Sequence, residues 1–177
     1  MNILASLLFT SLLNYVHGSS SIIVTNLARS NPNAIATQSS TCNHGRAHLA
    51  IDGNTSGVWN EGSVSTTCAN QDDPWWMVEL PINNVETNVI ASVVVYNHGV
   101  QHMVDCHVQV LDGDMNILAS QPVNDSYGWR VQTFNFHNVE DGRYVRVQKN
   151  GNGFINLGEV EVLGWTKSLE STSLRRD

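Results

Sequence analysis

A series of short, β-branched or apolar segments separated by turn residues limits the fold of this chain more than any other feature. Residues 89–96 are rich in valine and isoleucine, which favours a buried central strand. Five shorter segments have strand-like composition or alternate apolar and polar residues with a period of two: residues 76–80, 107–111, 131–136, 143–148 and 159–163. Turn signals such as Asp112-Gly113 and Asp141-Gly142 separate them, and no helical period of useful length occurs. The sequence therefore predicts an all-β antiparallel sandwich.

The first residues differ in composition from the rest of the chain. An apolar run over residues 3–13 is followed by small residues around Gly18, which predicts a signal peptide at 1–18 and a mature chain that begins near Ser19. The alternative is a short membrane anchor, although the run is shorter than the roughly 20 apolar residues that span a bilayer. We therefore predict a secreted, extracellular protein with a β-sandwich domain at 19–165 and a polar tail at 166–177.

The charge balance excludes two classes of partner. The chain has 9 Lys plus Arg and 16 Asp plus Glu, which gives a formal net charge of -7. An acidic chain without a basic stripe is poorly suited to the phosphate backbone of nucleic acid. The same charge disfavours binding to an anionic membrane, and the loops carry no apolar tip flanked by lysine that would insert into one. We predict no nucleic-acid binding and no membrane insertion.

Three cysteines are an odd number for an oxidising compartment. One disulfide and one remaining thiol account for them most simply. Cys42 and Cys68 lie on either side of the Asp52-Gly53-Asn54 stretch, and their pairing is the interpretation we favour. The spacing of cysteines alone does not determine connectivity, so pairings with Cys106 stay open at this stage.

The Asp52-Gly53-Asn54 stretch has two interpretations. All three residue types tolerate tight turns, so the stretch could be ordinary turn chemistry. Carboxylate and amide oxygens are also the ligands that Ca²⁺ prefers. Asn54 in addition opens the sequon Asn54-Thr55-Ser56, which leaves open whether Asn54 carries a glycan or serves as a ligand.

Seven motifs occur in an order that resembles one family. They are ATQSST, AIDGN, GS, DPWWMVEL, a valine-rich strand ending in YN, GRYVRV and GEVEVLG, and they span about residues 26–164. In this order they resemble the F-type lectin (fucolectin) branch of the discoidin and coagulation-factor C-domain superfamily. The resemblance implies a jelly-roll β-sandwich whose long loops, at one end, carry a calcium ion beside a fucose pocket.

The resemblance also implies a set of calcium ligands. Side-chain oxygens would come from Asp52, Asn54, Ser63 and Glu159, and backbone oxygens from Leu49 and Gly158. A mixture of carboxylates, amide and carbonyl oxygens suits Ca²⁺. It does not suit zinc, because no Cys or His belongs to the set. The ion would join an early loop to the last strand. A metal ion that closes so long a loop is expected to contribute most to stability.

The fucose pocket of the family is altered in this chain. The family binds the sugar through a His and two Arg, and Thr66, His98 and Asp105 fall at those positions. Arg presents a planar fork of donors that neither His nor Asp reproduces. An unpaired polar group in a desolvated pocket costs about 1 to 3 kcal/mol. We therefore expect fucose binding of the family type to be lost or much weakened.

Other loop residues provide candidates for a different pocket. His44, Arg46 and Trp59 lie in the predicted loop end, where an aromatic wall and polar groups could bind a sugar; the alternative is that they are solvated loop residues. We predict a carbohydrate-binding module whose partner is a glycan or glycoprotein, with a homo-oligomer left open. The alternative is a discoidin-type adhesion domain without a sugar ligand. Because no Gly-x-Ser-x-Gly or His-Glu-x-x-His motif occurs, we do not predict an enzyme.

Overall fold

The computed structural model describes residues 22–98, 103–123 and 130–169. The predicted signal peptide and most of the predicted tail lie outside the described residues. Within the described part of the chain, no helix is both long and apolar enough to cross a membrane.

The described residues form twelve strands, one short α-helix and two 3-10 helices. The helix α1 is Leu27–Ser30, and the 3-10 helices are Ala47–Ile51 and Trp59–Glu61. The strands are β1 (Thr25–Asn26), β2 (Ile35–Gln38), β3 (Ser65–Thr66), β4 (Gln71–Asp72), β5 (Trp75–Glu79), β6 (Glu86–Asn97), β7 (Cys106–Leu111), β8 (Ile117–Pro122), β9 (Val131–Glu140), β10 (Tyr144–Lys149), β11 (Asn152–Gly153) and β12 (Asn156–Ser168).

The strands form two five-stranded antiparallel sheets and a small ribbon. One sheet has the order β1-β12-β6-β9, with β3 also paired to β12. The other has the order β2-β5-β10-β7-β8. The ribbon pairs β4 with β11. The predicted antiparallel β-sandwich is confirmed.

The core is built from alternate residues of the central strands. Because side chains of a strand point to opposite faces in turn, one face of each strand supplies the core. Val93 and Val95 of β6 are fully buried, as is Trp76, whose indole nitrogen donates to the Ala47 carbonyl oxygen at 2.9 Å. Residues from both sheets belong to the same buried cluster, including Val108, Val145, Val147, Val160 and Val162.

All six strands predicted from composition are present, whereas the other six described strands were not predicted: β1, β2, β3, β4, β8 and β11. β8 was missed because it is an edge strand whose residues are mostly exposed, so its pattern lacks an apolar face. β1 has two residues and β2 has four, too few for a periodic signal. The predicted domain boundary at residue 165 falls inside β12, which pairs with β6 as far as Ser168.

Backbone hydrogen bonds connect several loops at one end of the sandwich. The Thr67 backbone nitrogen donates to the Ile155 carbonyl, and the Asp73 nitrogen donates to that of Gly151. Asn150 donates to the Asp105 carbonyl in the same way. Segments far apart in sequence therefore meet at the end where β6 finishes and β12 begins.

Candidate functional site

The Asp52-Gly53-Asn54 stretch forms a tight turn at this end. The Asn54 backbone nitrogen donates to Asp52 Oδ1 at 2.7 Å, and the Ser56 nitrogen donates to Asn54 Oδ1 at 3.1 Å. Gly53 has φ of +85°, a left-handed conformation that glycine adopts readily. Arg29 of α1 lies against the turn, and its Nη1 donates to the Asp52 carbonyl oxygen at 3.3 Å.

Glu159 of β12 lies beneath this turn. Its side chain is 0% exposed, and Oε1 accepts a hydrogen bond of 3.0 Å from the Gly53 backbone nitrogen, 106 residues earlier in the sequence. The other oxygen, Oε2, is buried and has no hydrogen-bond partner among the described residues. Burial raises the pKa of Glu159 to about 7, with smaller contributions in the same direction from Asp52 and Glu161. A charged carboxylate at this position therefore lacks compensation.

The other residues of the predicted ligand set lie around the same turn. Ser63 is buried, and its Oγ lies 3.2 Å from Ser56 Oγ. Gly158 lies at an irregularity in the pairing of β12 with β6, and a Cβ added there would be 2.9 Å from the Gly57 Cα. Leu49 belongs to the 3-10 helix Ala47–Ile51, which packs against β12.

The chemistry of these residues fits a hard divalent cation. Two carboxylates, an amide oxygen and a hydroxyl lie in or next to the turn, and one buried carboxylate oxygen has no donor among the described residues. In the described parts of the chain, no three His, Cys, Asp or Glu side chains cluster as a metal-binding group. An oxygen set with only two carboxylates is consistent with calcium, which accepts carbonyl and hydroxyl ligands in flexible geometry.

The same loop end contains a hollow of about 390 Å³ whose lining, among the described residues, is uncharged. The Cys42–Cys68 disulfide, confirmed by the structure, forms part of its edge. Thr66 donates its hydroxyl hydrogen to Asn156 Oδ1, so the amide nitrogen of Asn156 is the group left to donate. The lining consists of Cys42, Asn43, Trp59, Thr66, Thr67, Ala69, Phe154 and Asn156. Polar groups between two aromatic side chains are typical of a ligand pocket.

A smaller hollow of about 220 Å³ adjoins the first and shares Asn43 and Trp59 with it. The rest of its lining is His44, Gly45, Leu49, Gly62 and Val64. Trp59 lines both hollows, and its side chain is 37% exposed.

The predicted pocket residues are only partly brought together. Thr66 and Trp59 line the larger hollow, and His44 lines the smaller one, whereas His98, Arg46 and Asp105 line neither. His98 lies against Trp59 instead, with ring centroids 5.7 Å apart. Its Nδ1 contacts the Gly57 carbonyl oxygen, and because a carbonyl only accepts, Nδ1 must carry the proton.

Several site residues were not found from the sequence. Asn43, Phe154 and Asn156 line the larger hollow, and Ser56 joins Asn54 to Ser63. The turn Asn150–Gly153 directly before Phe154 marks a loop in the sequence but does not show which hollow it reaches.

Cys106 is the free cysteine of the described chain, and it is buried. Burial raises the pKa of its thiol to about 12, so it stays protonated and is a poor nucleophile.

Comparisons with known proteins agree with this architecture. A family model described as NedA-like, galactose-binding domain matches residues 49–147. The lectin domain of lectinolysin, solved in complex with Lewis B antigen, is 31% identical with a TM-score of 0.67, covering 78% of this chain and 95% of that one. A fucose binding module of Streptococcus pneumoniae is 29% identical with a TM-score of 0.67, over 78% of this chain and 94% of that one.

A fucolectin from striped bass (Morone saxatilis) serum is also similar. It is 29% identical with a TM-score of 0.65, and the match covers 79% of this chain and 47% of that one. No curated protein sequence is significantly similar to the chain.

Proposed function

The chain belongs to the family of NedA-like, galactose-binding domains, and on that premise we propose that it is a carbohydrate-binding module of the lectin type. The predicted relation to F-type lectins is confirmed by the solved structures that it resembles. The observation that carries the proposal is the uncharged hollow beside Thr66, which combines two aromatic walls with amide and hydroxyl groups. Such a lining suits the polar edges and apolar faces of sugar rings.

We propose in addition that calcium stabilises the loop end. Asp52, Asn54, Ser63 and Glu159 would hold the ion with side-chain oxygens, and Leu49 and Gly158 with backbone oxygens. The support for this site is the buried Glu159 oxygen beneath the turn, which has no hydrogen-bond partner in the part of the chain that the structure describes. When bound, the ion would supply the positive charge that this carboxylate lacks.

The preferred sugar would differ from fucose. The Thr66 hydroxyl donates its hydrogen bond to Asn156, and one ring nitrogen of His98 donates to the Gly57 carbonyl oxygen. Thr66, at the family's His position, therefore has no hydroxyl hydrogen left for a sugar, and His98 does not replace the two N–H donors that an arginine fork offers. L-fucose binding of the family type is therefore expected to be lost or much weakened.

A secreted location completes the proposal. Structural disulfides persist in oxidising compartments and are rare in the cytosol, so the Cys42–Cys68 bond supports an extracellular module.

A glycan array tests the function. The purified chain is applied with calcium and again with a chelator, and we expect binding to at least one class of glycan that is reduced by the chelator. The matched variants are Asp52→Asn, in the turn, and Asp112→Asn, in the β7–β8 hairpin at the opposite end. Only the first should reduce the calcium dependence. Uniform silence on the array, together with recovery of a protein partner in pull-downs, would favour the adhesion alternative.

A further inference from the structure

We propose that the ligand is a neutral glycan of at least two sugar rings that lies across Trp59 and Asn43, with one ring in each hollow. The inference rests on the proposed carbohydrate-binding function and specifies the class of sugar. It is carried by the two adjoining hollows, their uncharged linings and the position of the indole between them.

The sizes of the hollows favour one extended site. The larger hollow, about 390 Å³, lies within the range of about 300 to 1,000 Å³ that is typical of ligand pockets. The smaller, about 220 Å³, is below that range and is too small to be a separate site for a large ligand. Because the two share Asn43 and Trp59, the smaller hollow is best explained as an extension of the larger.

Trp59 is positioned to contact a ring on either side. It begins the 3-10 helix Trp59–Glu61, and the Gly62 nitrogen donates to its carbonyl oxygen at 3.0 Å, which closes this short turn. His98 packs against the indole at an interplanar angle of 50°, and the Gly57 carbonyl in turn holds His98. An indole supported in this way presents a rigid apolar surface, and little conformational entropy is lost when a sugar ring packs on it.

The linings favour a neutral ligand. Among the described residues, neither hollow is lined by Asp, Glu, Lys or Arg, and His44 is the one titratable side chain of the two linings apart from the disulfide-bonded Cys42. A carboxylate or sulfate placed there would lose hydration without gaining a cationic partner. The net charge of -7 adds repulsion toward acidic glycans. Amide and hydroxyl groups, by contrast, match the hydroxyls of neutral sugars.

Calorimetric titration of matched sugars tests the inference. The probes are galactose with lactose, N-acetylglucosamine with chitobiose, mannose with mannobiose, L-fucose with 2′-fucosyllactose, and lactose with 3′-sialyllactose. We expect at least one neutral oligosaccharide to bind ten-fold or more tightly than its monosaccharide. We expect the sialylated sugar to bind more weakly than lactose.

Substitutions of the indole identify the position of the second ring. Trp59→Ala should remove the gain from the second ring, and Trp59→Leu, which keeps apolar bulk, should remove most of it. Trp165→Ala is the control, because Trp165 lines a separate hollow with Ile22 and Leu27, and it should leave the gain unchanged. Thermal melts of each variant establish that it is folded.

The failures of the two proposals are distinguishable. If a monosaccharide binds as tightly as every oligosaccharide, or if Trp59→Ala keeps the full gain, the two-ring inference is wrong and the carbohydrate-binding function stands. Preferred binding of the sialylated sugar overturns the neutral class. Absence of binding to all probes, and to the wider array, overturns the proposed function itself.

Discussion

Glu159, which we propose as a calcium ligand, has an unusual environment for a carboxyl group. A carboxyl group with no exposed surface is unusual, and only one of its oxygens receives a donor from the described protein. The neighbouring carboxylates of Asp52 and Glu161 disfavour its charge further, while the Gly53 amide and Arg29 favour it. Without a cation, the folded protein therefore favours the neutral acid more strongly than the unfolded chain does.

The pH dependence of stability follows from this difference. The pKa of Glu159 is about 7 in the folded protein, against an ordinary value of 4.5. Its contribution to stability is then fully present below about pH 4.5 and is lost as the pH rises through about 7. In calcium-free buffer, we expect the free energy of unfolding to fall by about 1 to 3 kcal/mol between pH 4.5 and 8, measured by urea denaturation.

Glu159→Gln is the control for this effect. Glutamine can still accept the hydrogen bond from Gly53 but does not titrate, so this part of the pH dependence should disappear. The variant should also be more stable than the calcium-free wild type at pH 8. An unchanged pH slope in the variant would show that other groups are responsible.

At the scale of elements, β12 is the strand on which the site is built. β3 pairs with its first residues and β1 with Leu163 and Gly164, and between these two pairings the turn around Gly53 lies over Glu159. The chain can approach closely because Gly158 faces Gly57 and both lack side chains. The irregular pairing between Leu157 and Glu159 accompanies this contact, as expected for a bulge that redirects a side chain.

Gly158→Ala tests the close contact. The added Cβ would lie 2.9 Å from the Gly57 Cα and 3.3 Å from its nitrogen, and backbone atoms cannot move aside as a flexible side chain can. We expect the free energy of unfolding to fall by about 1 to 3 kcal/mol, measured by urea denaturation.

Gly113→Ala is the matched substitution in open space, since no atom lies within 4 Å of an added Cβ there. Its effect should stay within about 0.5 kcal/mol. Equal losses in the two variants would contradict the argument from the Gly57 contact.

At the scale of the whole molecule, the strands form a rigid frame and the loops of one end supply the candidate site. Residues from the first loops, from the segment after β6 and from the start of β12 meet there, although they are widely separated in sequence. A cation bound by Asp52 and Glu159 would therefore connect the two ends of the domain's sequence. Because the ion would bind only the folded state, holding these distant segments together would stabilise that state.

Calcium should consequently raise the thermal stability of the whole domain. A ligand that binds only the folded state, at one hundred times its Kd, stabilises by about 2.7 kcal/mol. We expect the Tm at pH 7.5 to rise by several degrees on addition of calcium to chelator-treated protein, measured by calorimetry. Glu159→Gln should lose most of this shift.

Glu79→Gln is the control for the calcium effect. Glu79 Oε1 pairs with Arg143 Nη2 at a distance of 2.6 Å, and this ion pair is not part of the candidate cation site. The variant should keep the full calcium-dependent rise even if its starting Tm is lower. An identical Tm with and without calcium in the wild-type protein would remove the ion from the proposal.

The sequence alone determined the six strands with a clear composition or alternation, and the chemistry of the residues that could form a site. Alternation in residues 107–111 and 143–148 fixed the buried face of each strand, because strand periodicity is a local property. The Asp52-Gly53-Asn54 turn was equally evident, since its hydrogen bonds join residues two apart. The favoured pairing of Cys42 with Cys68 proved correct, although spacing could not decide it.

The tertiary structure alone decided which loop residues face one another. Thr66 and Trp59 line the larger hollow, whereas His98 packs against the indole of Trp59. Asp105 and Arg46 line neither hollow. Asn43, Phe154 and Asn156 also line the larger hollow, and no sequence pattern predicted this. Loop side chains are placed by contacts between distant segments, such as Thr66 with Asn156, and these carry no sequence period. The strands could therefore be predicted from local chemistry, whereas the candidate binding surface depended on how the loops pack together.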